Sequence, residues 1–363
     1  MFTRQKMLSF ALILALTAGL LFPLSGGVHA GQASAQTDRV LLDGVTYTLQ
    51  YADGSADAEL LCPEQTDGLP AEITVRSQIT YNGVTFAVNS FRAGISDEYG
   101  GTIGELVKRG AYEPDYYQNH LRKIHIEEGV RNISVSLAHY ASLEEIHIAN
   151  PADCHSITMN LWDCPKMKDI YVPASADLIP QLRECPDTTV TYALDHPKYT
   201  AEDGAIYSKD GRILYDVSSD AKKYTVKKGV KTIATLAFSG NDAIRKVILP
   251  ASVRKLEGTP FFNMKNLRSV KLSQNIRRID GSCFRRCGKL TSLKLPKNVR
   301  SIVGFFGNKK NCKLKSLYIH APSLKKAIFR GLPKPCTIYV KNETVKKQIQ
   351  KQSNFKGQII VQQ

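Results

Sequence analysis

From Ile244 to Ile302 the chain repeats itself every 23 residues, and that period decides what it can fold into. Ile244, Val247, Leu249, Val253 and Leu256 share one spacing with Leu267, Val270, Leu272, Ile276 and Ile279. Leu290, Leu293, Leu295, Val299 and Ile302 share it too. The common pattern is L-x-x-L-x-L-[PS]-x-x-V-x-x-I, and a fourth start follows at Leu314, Leu317 and Ile319. An aromatic residue precedes each start or follows the last segment: Phe238, Phe262, Phe284 and Phe306 are read as plugs between coils. The period also runs earlier, through Leu121-Ile124-Ile126, Leu143-Ile146-Ile148 and Met167-Ile170-Val172.

An x-L-x-L alternation predicts a short strand with one face inward, and the V-x-x-I segment predicts the opposite side of the same coil. One coil cannot bury its own apolar edge, whereas stacked coils share a continuous core. The expected fold class is therefore a repeat solenoid of short parallel β-strands, with β-hairpin insertions. Cys164, Asn241, Met264 and Cys287 each lie three residues before a coil start. That slot reads as an interior turn position for a small side chain that packs or bonds to backbone. Cys283 and Cys287 are close enough in sequence to invite a disulfide, and the slot offers a simpler role.

These coils resemble the BspA-like class of bacterial leucine-rich repeats, with the resemblance covering about 80–93, 121–186 and 224–340. Ile79–Val88 resembles the opening hairpin of that family, 199–214 its hairpin insertion, and Thr337–Val340 with a short helix near 344–350 its close. The resemblance implies a secreted or surface protein that binds or adheres, and it implies fold far more strongly than function. Two stretches depart from the pattern. A long interval between Phe91 and Leu121 holds a helix expected near 103–109 and Tyr112, Tyr116 and Tyr117. It reads either as a recognition loop or as a cap over the first coils. The stretch 174–195 loses the repeat.

Arg4 and Lys6 followed by an apolar run to Leu24 and by Val28-His29-Ala30 predict a secretory signal over 1–30. The expected organisation beyond it is an N-terminal cap and hairpin region over 31–120 with an irregular insertion, then a first repeat array over 121–195. A hairpin insertion over 196–220, a second array over 221–340 and a helical cap over 341–363 complete it. No further apolar run of spanning length and no wall-sorting motif is read in the chain. Eight cysteines without a CxxC pair make a poor metal or redox pattern.

Charge is unevenly shared. From Asn241 to Gln363 there are 28 basic and 4 acidic residues, against 19 basic and 29 acidic over 31–240. Such a field attracts polyanions outside the cell, and it also keeps an extracellular solenoid soluble.

Equivalent outward positions of successive strands would form rows. The middle row is expected to run His125, His147, Tyr171, Ile248, Lys271, Lys294, Tyr318 and Tyr339, flanked by Arg245, Arg268 and Lys315 with Thr291 interrupting. The candidate ligand-binding residues are Tyr112, Tyr116, Tyr117, Tyr171, Arg245, Arg268, Lys271, Lys294, Lys315, Tyr318 and Tyr339. His125 and His147 lack a third zinc ligand in register. Ser134, Ser136 and His139 lack an acidic partner at an identifiable position. No cofactor and no catalysis are expected. The first functional expectation is a non-catalytic binding or adhesion protein that recognises an extracellular protein or glycan. The alternative is a basic structural protein held electrostatically on anionic envelope polymers, with no specific nucleic-acid partner.

Overall fold

Each predicted coil forms two short strands on opposite sides of an apolar interior. The computed structural model describes residues 37–60, 69–93, 116–149, 154–185, 187–307, 312–333, 335–353 and 355–362. The expected signal over 1–30, the helix expected near 103–109, Tyr112 and Cys62 lie outside these residues.

The L-x-L strands stack in parallel along one face. Ser292–Leu295 alternates exposed and buried side chains and pairs in register with Ser316–Ile319, which pairs with Thr337–Val340. Lys223–Thr225, Lys246–Ile248 and Ser269–Lys271 make the preceding part of this face. In the front coils it is built from Glu72–Val75, Lys123–Ile126 and Glu145–Ile148, and from Asp169–Val172 paired with Thr189–Tyr192. The V-x-x-I segments make the second face: Thr232–Ile233 with Lys255–Leu256, then Arg278–Asp280, Ser301–Phe305 and Lys326–Arg330. Val84–Ala93, Asn132–Ala138, Ser156–Trp162 and Gln181–Arg183 form its front part, all parallel.

The stretch 174–195 loses the sequence repeat yet continues both strand faces. Gln181–Arg183 continues one face and Thr189–Tyr192 the other. The motif is hidden because polar groups hold apolar slots. The Thr188 hydroxyl donates to the Met167 carbonyl at 3.0 Å, and the buried Tyr192 hydroxyl donates to that of Leu178 at 2.9 Å. Both are thus buried with a partner.

One plug also differs. Phe261, not Phe262, is fully buried, and it stacks between Phe238 and Phe284 with centroids 5.4 and 5.6 Å away. Residues 238, 261 and 284 are in phase with the 23-residue period, and 262 is one position late. The Phe262 ring instead faces outward, with the guanidinium of Arg286 5.6 Å from its centroid.

The interior slot behaves as expected. Cys164, Met264 and Cys287 are buried, the Cys287 thiol donates to the Phe261 carbonyl at 3.0 Å, and Asn241 donates to Val217 and Ser219 carbonyls. Cys283 and Cys287 are separate free thiols. Each slot residue is preceded by a left-handed residue: His139, Asp163, Glu184, Gly240, Asn263 and Arg286 have φ of 63°, 53°, 55°, 71°, 59° and 61°. This turn lets each coil reverse toward its next strand, and mostly non-glycine residues fill it.

Both ends of the stack are covered. Thr37–Leu42, Val45–Gln50 and Ser55–Leu60 pair antiparallel, and the last of these joins Val84–Ala93 in parallel. At the other end Asn342 caps the helix Glu343–Gln352 by accepting from the Val345 amide at 3.0 Å. Gln348 and Gln352 of that helix accept from the Leu324 and Ala327 amides, so they satisfy donors along the final second-face coil. The hairpin strand Ala205–Ser208 divides two cores: Ile206 joins the front one, while Ala205 and Tyr207 join the back one.

Candidate functional site

The outward rows follow from strand alternation and register. In Ser292–Leu295 the buried positions are Leu293 and Leu295, which leaves Lys294 exposed. Parallel pairing sets Lys294 opposite Tyr318 and Tyr318 opposite Tyr339. Neighbouring strands lie about 4.8 Å apart, a distance that suits ring stacking. The Tyr318 and Tyr339 rings stack with centroids 4.6 Å apart and planes at 10°, and the Lys294 ammonium sits 5.6 Å from the Tyr318 centroid. His320 lies parallel to the Tyr318 ring at 6.4 Å, an addition that the row position alone did not suggest. Tyr339 is followed in register by Ile360.

One coil earlier the row carries Lys271, paired with Ile248. The flanking row is set by backbone bonds from Arg268 to Arg245 at 2.8 Å and from Lys315 to Thr291 at 2.7 Å. Among the described residues Arg245, Arg268, Lys271, Lys294 and Lys315 make no ion pair. Lys271, Lys294, Tyr318, Tyr339, Arg245, Arg268 and Lys315 therefore share one face, with two aromatic rings at one end and unpaired cations along the rest.

The same face of the front coils is chemically different. His125 and His147 stack at 4.5 Å with planes at 17°, and Thr74 precedes them in register. Tyr171 follows on the next strand and is 56 % exposed. Flanking charges here are paired, Lys123 with Glu72 and Arg122 with Glu144, each at 3.1 Å. The bond from Arg122 holds the Glu144 carboxyl below the usual carboxylate range. Tyr171 thus belongs to a separate part of the face from the basic and tyrosine cluster.

Of the tyrosines expected on a recognition loop, Tyr117 is not available to a ligand. It is fully buried in the short helix Tyr116–His120, and its hydroxyl donates to the Gly44 carbonyl at 2.7 Å. The reason is the neighbouring turn. Asp43 and Gly44 both have positive φ, and a Cβ on Gly44 would lie 2.6 Å from that hydroxyl. Gln118 is likewise buried and donates to the Ala138 carbonyl, so this end of the long interval is built into the core. The Tyr116 side chain, like Tyr112, lies outside the described residues.

His139 does have an acidic partner, Asp163, at 2.8 Å, which the sequence reading missed. They meet because both occupy the left-handed turn of successive coils. The remaining ring nitrogen of His139 is buried without a hydrogen-bond partner, so no serine is coupled to it. Among the described residues no three His, Cys, Asp or Glu side chains converge as a metal site. Two cavities among the described residues, of about 150 and 170 Å³, are smaller than the roughly 300 Å³ of ordinary small-molecule sites. Among the described residues no helix is long and apolar enough to cross a membrane.

Comparison with known proteins agrees with this geometry. The family model described as BspA type leucine rich repeat region matches residues 115–183 and 214–334 in six copies. The crystal structure of the pneumococcal vaccine antigen PcpA is similar at 14 % identity, with 90 % of this chain and 99 % of that chain covered and a TM-score of 0.52. A leucine rich cell surface protein from Faecalibacterium prausnitzii A2-165 is similar at 15 % identity, over 82 % of this chain and 96 % of that chain, with a TM-score of 0.39. A leucine-rich repeat protein from Eubacterium ventriosum shows 13 % identity over 85 % and 87 % of the two chains, with a TM-score of 0.39. At 14 % identity the likeness to PcpA concerns the fold alone. No curated protein matches the sequence.

Proposed function

Because the chain belongs to the BspA-type leucine-rich repeat family, we propose that it is a non-catalytic extracellular binding protein whose L-x-L strand face recognises a protein or glycan. The observation that carries this reading is the stacked pair Tyr318 and Tyr339 continuing the row of unpaired Lys271 and Lys294. Stacked rings offer a rigid apolar platform at low entropic cost, and adjacent cations orient an acidic or polar partner over it. Arg245, Arg268 and Lys315 border the same surface. Tyr171 is assigned to a second, weaker contact region beside His125 and His147.

The test is binding of the protein to a panel of extracellular matrix proteins and glycans at about 0.15 M and 1 M salt, repeated with the Tyr318→Ala/Tyr339→Ala variant. Binding to one panel member that persists at high salt and fails in the variant supports the reading. The excess of 28 basic over 4 acidic residues after 240 favours a second reading, electrostatic retention on anionic envelope polymers. That reading expects salt to abolish all binding and the tyrosine variant to bind as the parent does.

A further inference from the structure

The second face carries a row of cations that the L-x-L face does not explain. Arg212, Lys231, Arg254, Arg277, Arg300 and Lys325 occupy one position in six successive coils, and all six are exposed. Backbone bonds fix the alignment. The Lys231 amide donates to the Arg212 carbonyl at 2.7 Å, and Arg254 to Lys231 at 2.8 Å. Arg300 donates to Arg277 and Lys325 to Arg300, each at 2.7 Å. The strand Lys255–Leu256 lies beside Arg278–Asp280, which joins the two halves of the row. Lys255, Arg278 and Lys326 add charge at the neighbouring position.

Among the described residues, acidic side chains pair with one of the six and leave the other five unpaired. Asp210 meets Arg212 at 3.6 Å and Glu257 meets Lys255 at 2.6 Å. Among the described residues Lys231, Arg254, Arg277, Arg300 and Lys325 make no ion pair. The matching slot in the front coils holds Asn89, Arg131 and His155, so the run belongs to the back coils and not to the repeat as such.

Spacing gives the row its meaning. Strands about 4.8 Å apart set six cations over about 24 Å, each within the roughly 8 Å screening length of its neighbours. Their fields add, and their mutual repulsion is relieved when an anionic chain lies along them. Guanidinium groups suit phosphate oxygens because their donors form a planar fork. None of the six packs on an aromatic ring among the described residues. A partner whose bases or sugar rings require stacking gains nothing from that bare surface.

We propose that this row is a docking track for a linear phosphodiester polymer without rings, of the poly(glycerol phosphate) type, lying along the stacking direction of the coils. This sharpens the electrostatic reading into one face and one ligand class, and it does not depend on the tyrosine face.

The test measures affinity for soluble poly(glycerol phosphate) across a salt series. The Arg254→Glu/Arg277→Glu/Arg300→Glu variant is compared with Lys228→Glu/Lys297→Glu/Lys341→Glu, three exposed lysines outside both rows, which has the same net charge. The first is expected to bind at least about tenfold more weakly, with the log–log salt slope reduced by about 2, and the second to change less than about twofold. The single Arg277→Gln variant should show the same order with a smaller loss, which guards against misfolding of the triple variant. Equal losses in both triples would overturn the track while leaving general electrostatic attraction standing. No binding by the parent protein would remove both. Tighter binding of a sulfated glycan or of poly(dT) than of poly(glycerol phosphate) would overturn the ligand class.

Discussion

The guanidinium of Arg183 donates to the carboxylate of Asp216 at 3.0 Å, joining the last second-face strand of the front coils to the hairpin strand Ile213–Val217. Arg183 also donates to the Leu236 carbonyl at 3.2 Å, so one side chain spans the junction between the two cores. Asp216 is 1 % exposed, and burial pushes its carboxyl up against the pull of Arg183.

Removal of Arg183 leaves an uncompensated buried carboxylate. Arg183→Met is expected to cost about 3 kcal/mol at neutral pH. Without the guanidinium the folded-state affinity of Asp216 for its proton rises further above the unfolded value. The contribution of Asp216 is then most favourable below the unfolded carboxyl range and falls as pH rises through the folded value. Urea melts at pH 7 and pH 4.5 should therefore show the Arg183→Met deficit shrinking on acidification. A deficit that is constant or grows would refute the linkage.

Phe261 stacks on Phe284 with planes at 12°, and both rings lie in the shared interior of successive coils. Phe261→Ala should cost about 3–5 kcal/mol, because the cavity opens between two coils at once. Phe262→Ala should cost less than about 1.5 kcal/mol, because that ring is partly exposed and loses a surface cation contact. Equal losses in thermal melts would contradict the placement of the plug.

Arg286 holds a left-handed backbone, φ 61°, in the turn that Gly240 fills in an earlier coil. Arg286→Gly removes the Cβ strain and is expected to be neutral or to stabilise by up to about 1 kcal/mol, whereas Arg286→Val should destabilise. Denaturant midpoints of the two variants decide the point.

Cys283, Cys287 and Cys336 are buried free thiols, and burial pushes each up to about 12. A thiolate is the reactive form, so at pH 7.5 alkylation of these three should follow unfolding, while the half-exposed Cys154 labels first. The folded state holds these protons more tightly than the unfolded state. Their contribution to stability is present below about pH 8.5 and is lost as pH rises toward 12. Mass-resolved alkylation and alkaline melts of the Cys283→Ala/Cys287→Ala variant check both statements. The variant should show a shallower alkaline decline.

The period, the two strands of each coil and the rows of outward residues were legible because a repeated spacing needs only local information. Lys294, Tyr318 and Tyr339 could be aligned on paper since equal phase in successive coils means adjacency once the coils stack. The second-face cations follow the same logic, because equal phase in successive coils again means adjacency.

Other features depend on contacts that no spacing encodes. Tyr117 reads as a loop aromatic until the Asp43-Gly44 turn, more than seventy residues away in sequence, receives its hydroxyl. His139 gains Asp163, and Arg183 gains Asp216, from different coils. Thr188 and Tyr192 keep the solenoid going through a stretch whose apolar pattern has lapsed, because a buried hydroxyl with a carbonyl partner can stand where a leucine would. Sequence by itself determined the period, the coil and the charge of each half, since these arise from the ordering of apolar and charged residues along the chain. Tertiary structure decided which polar side chains are buried and paired, since each such pairing is the desolvation cost of one group met by another that only folding brings within reach.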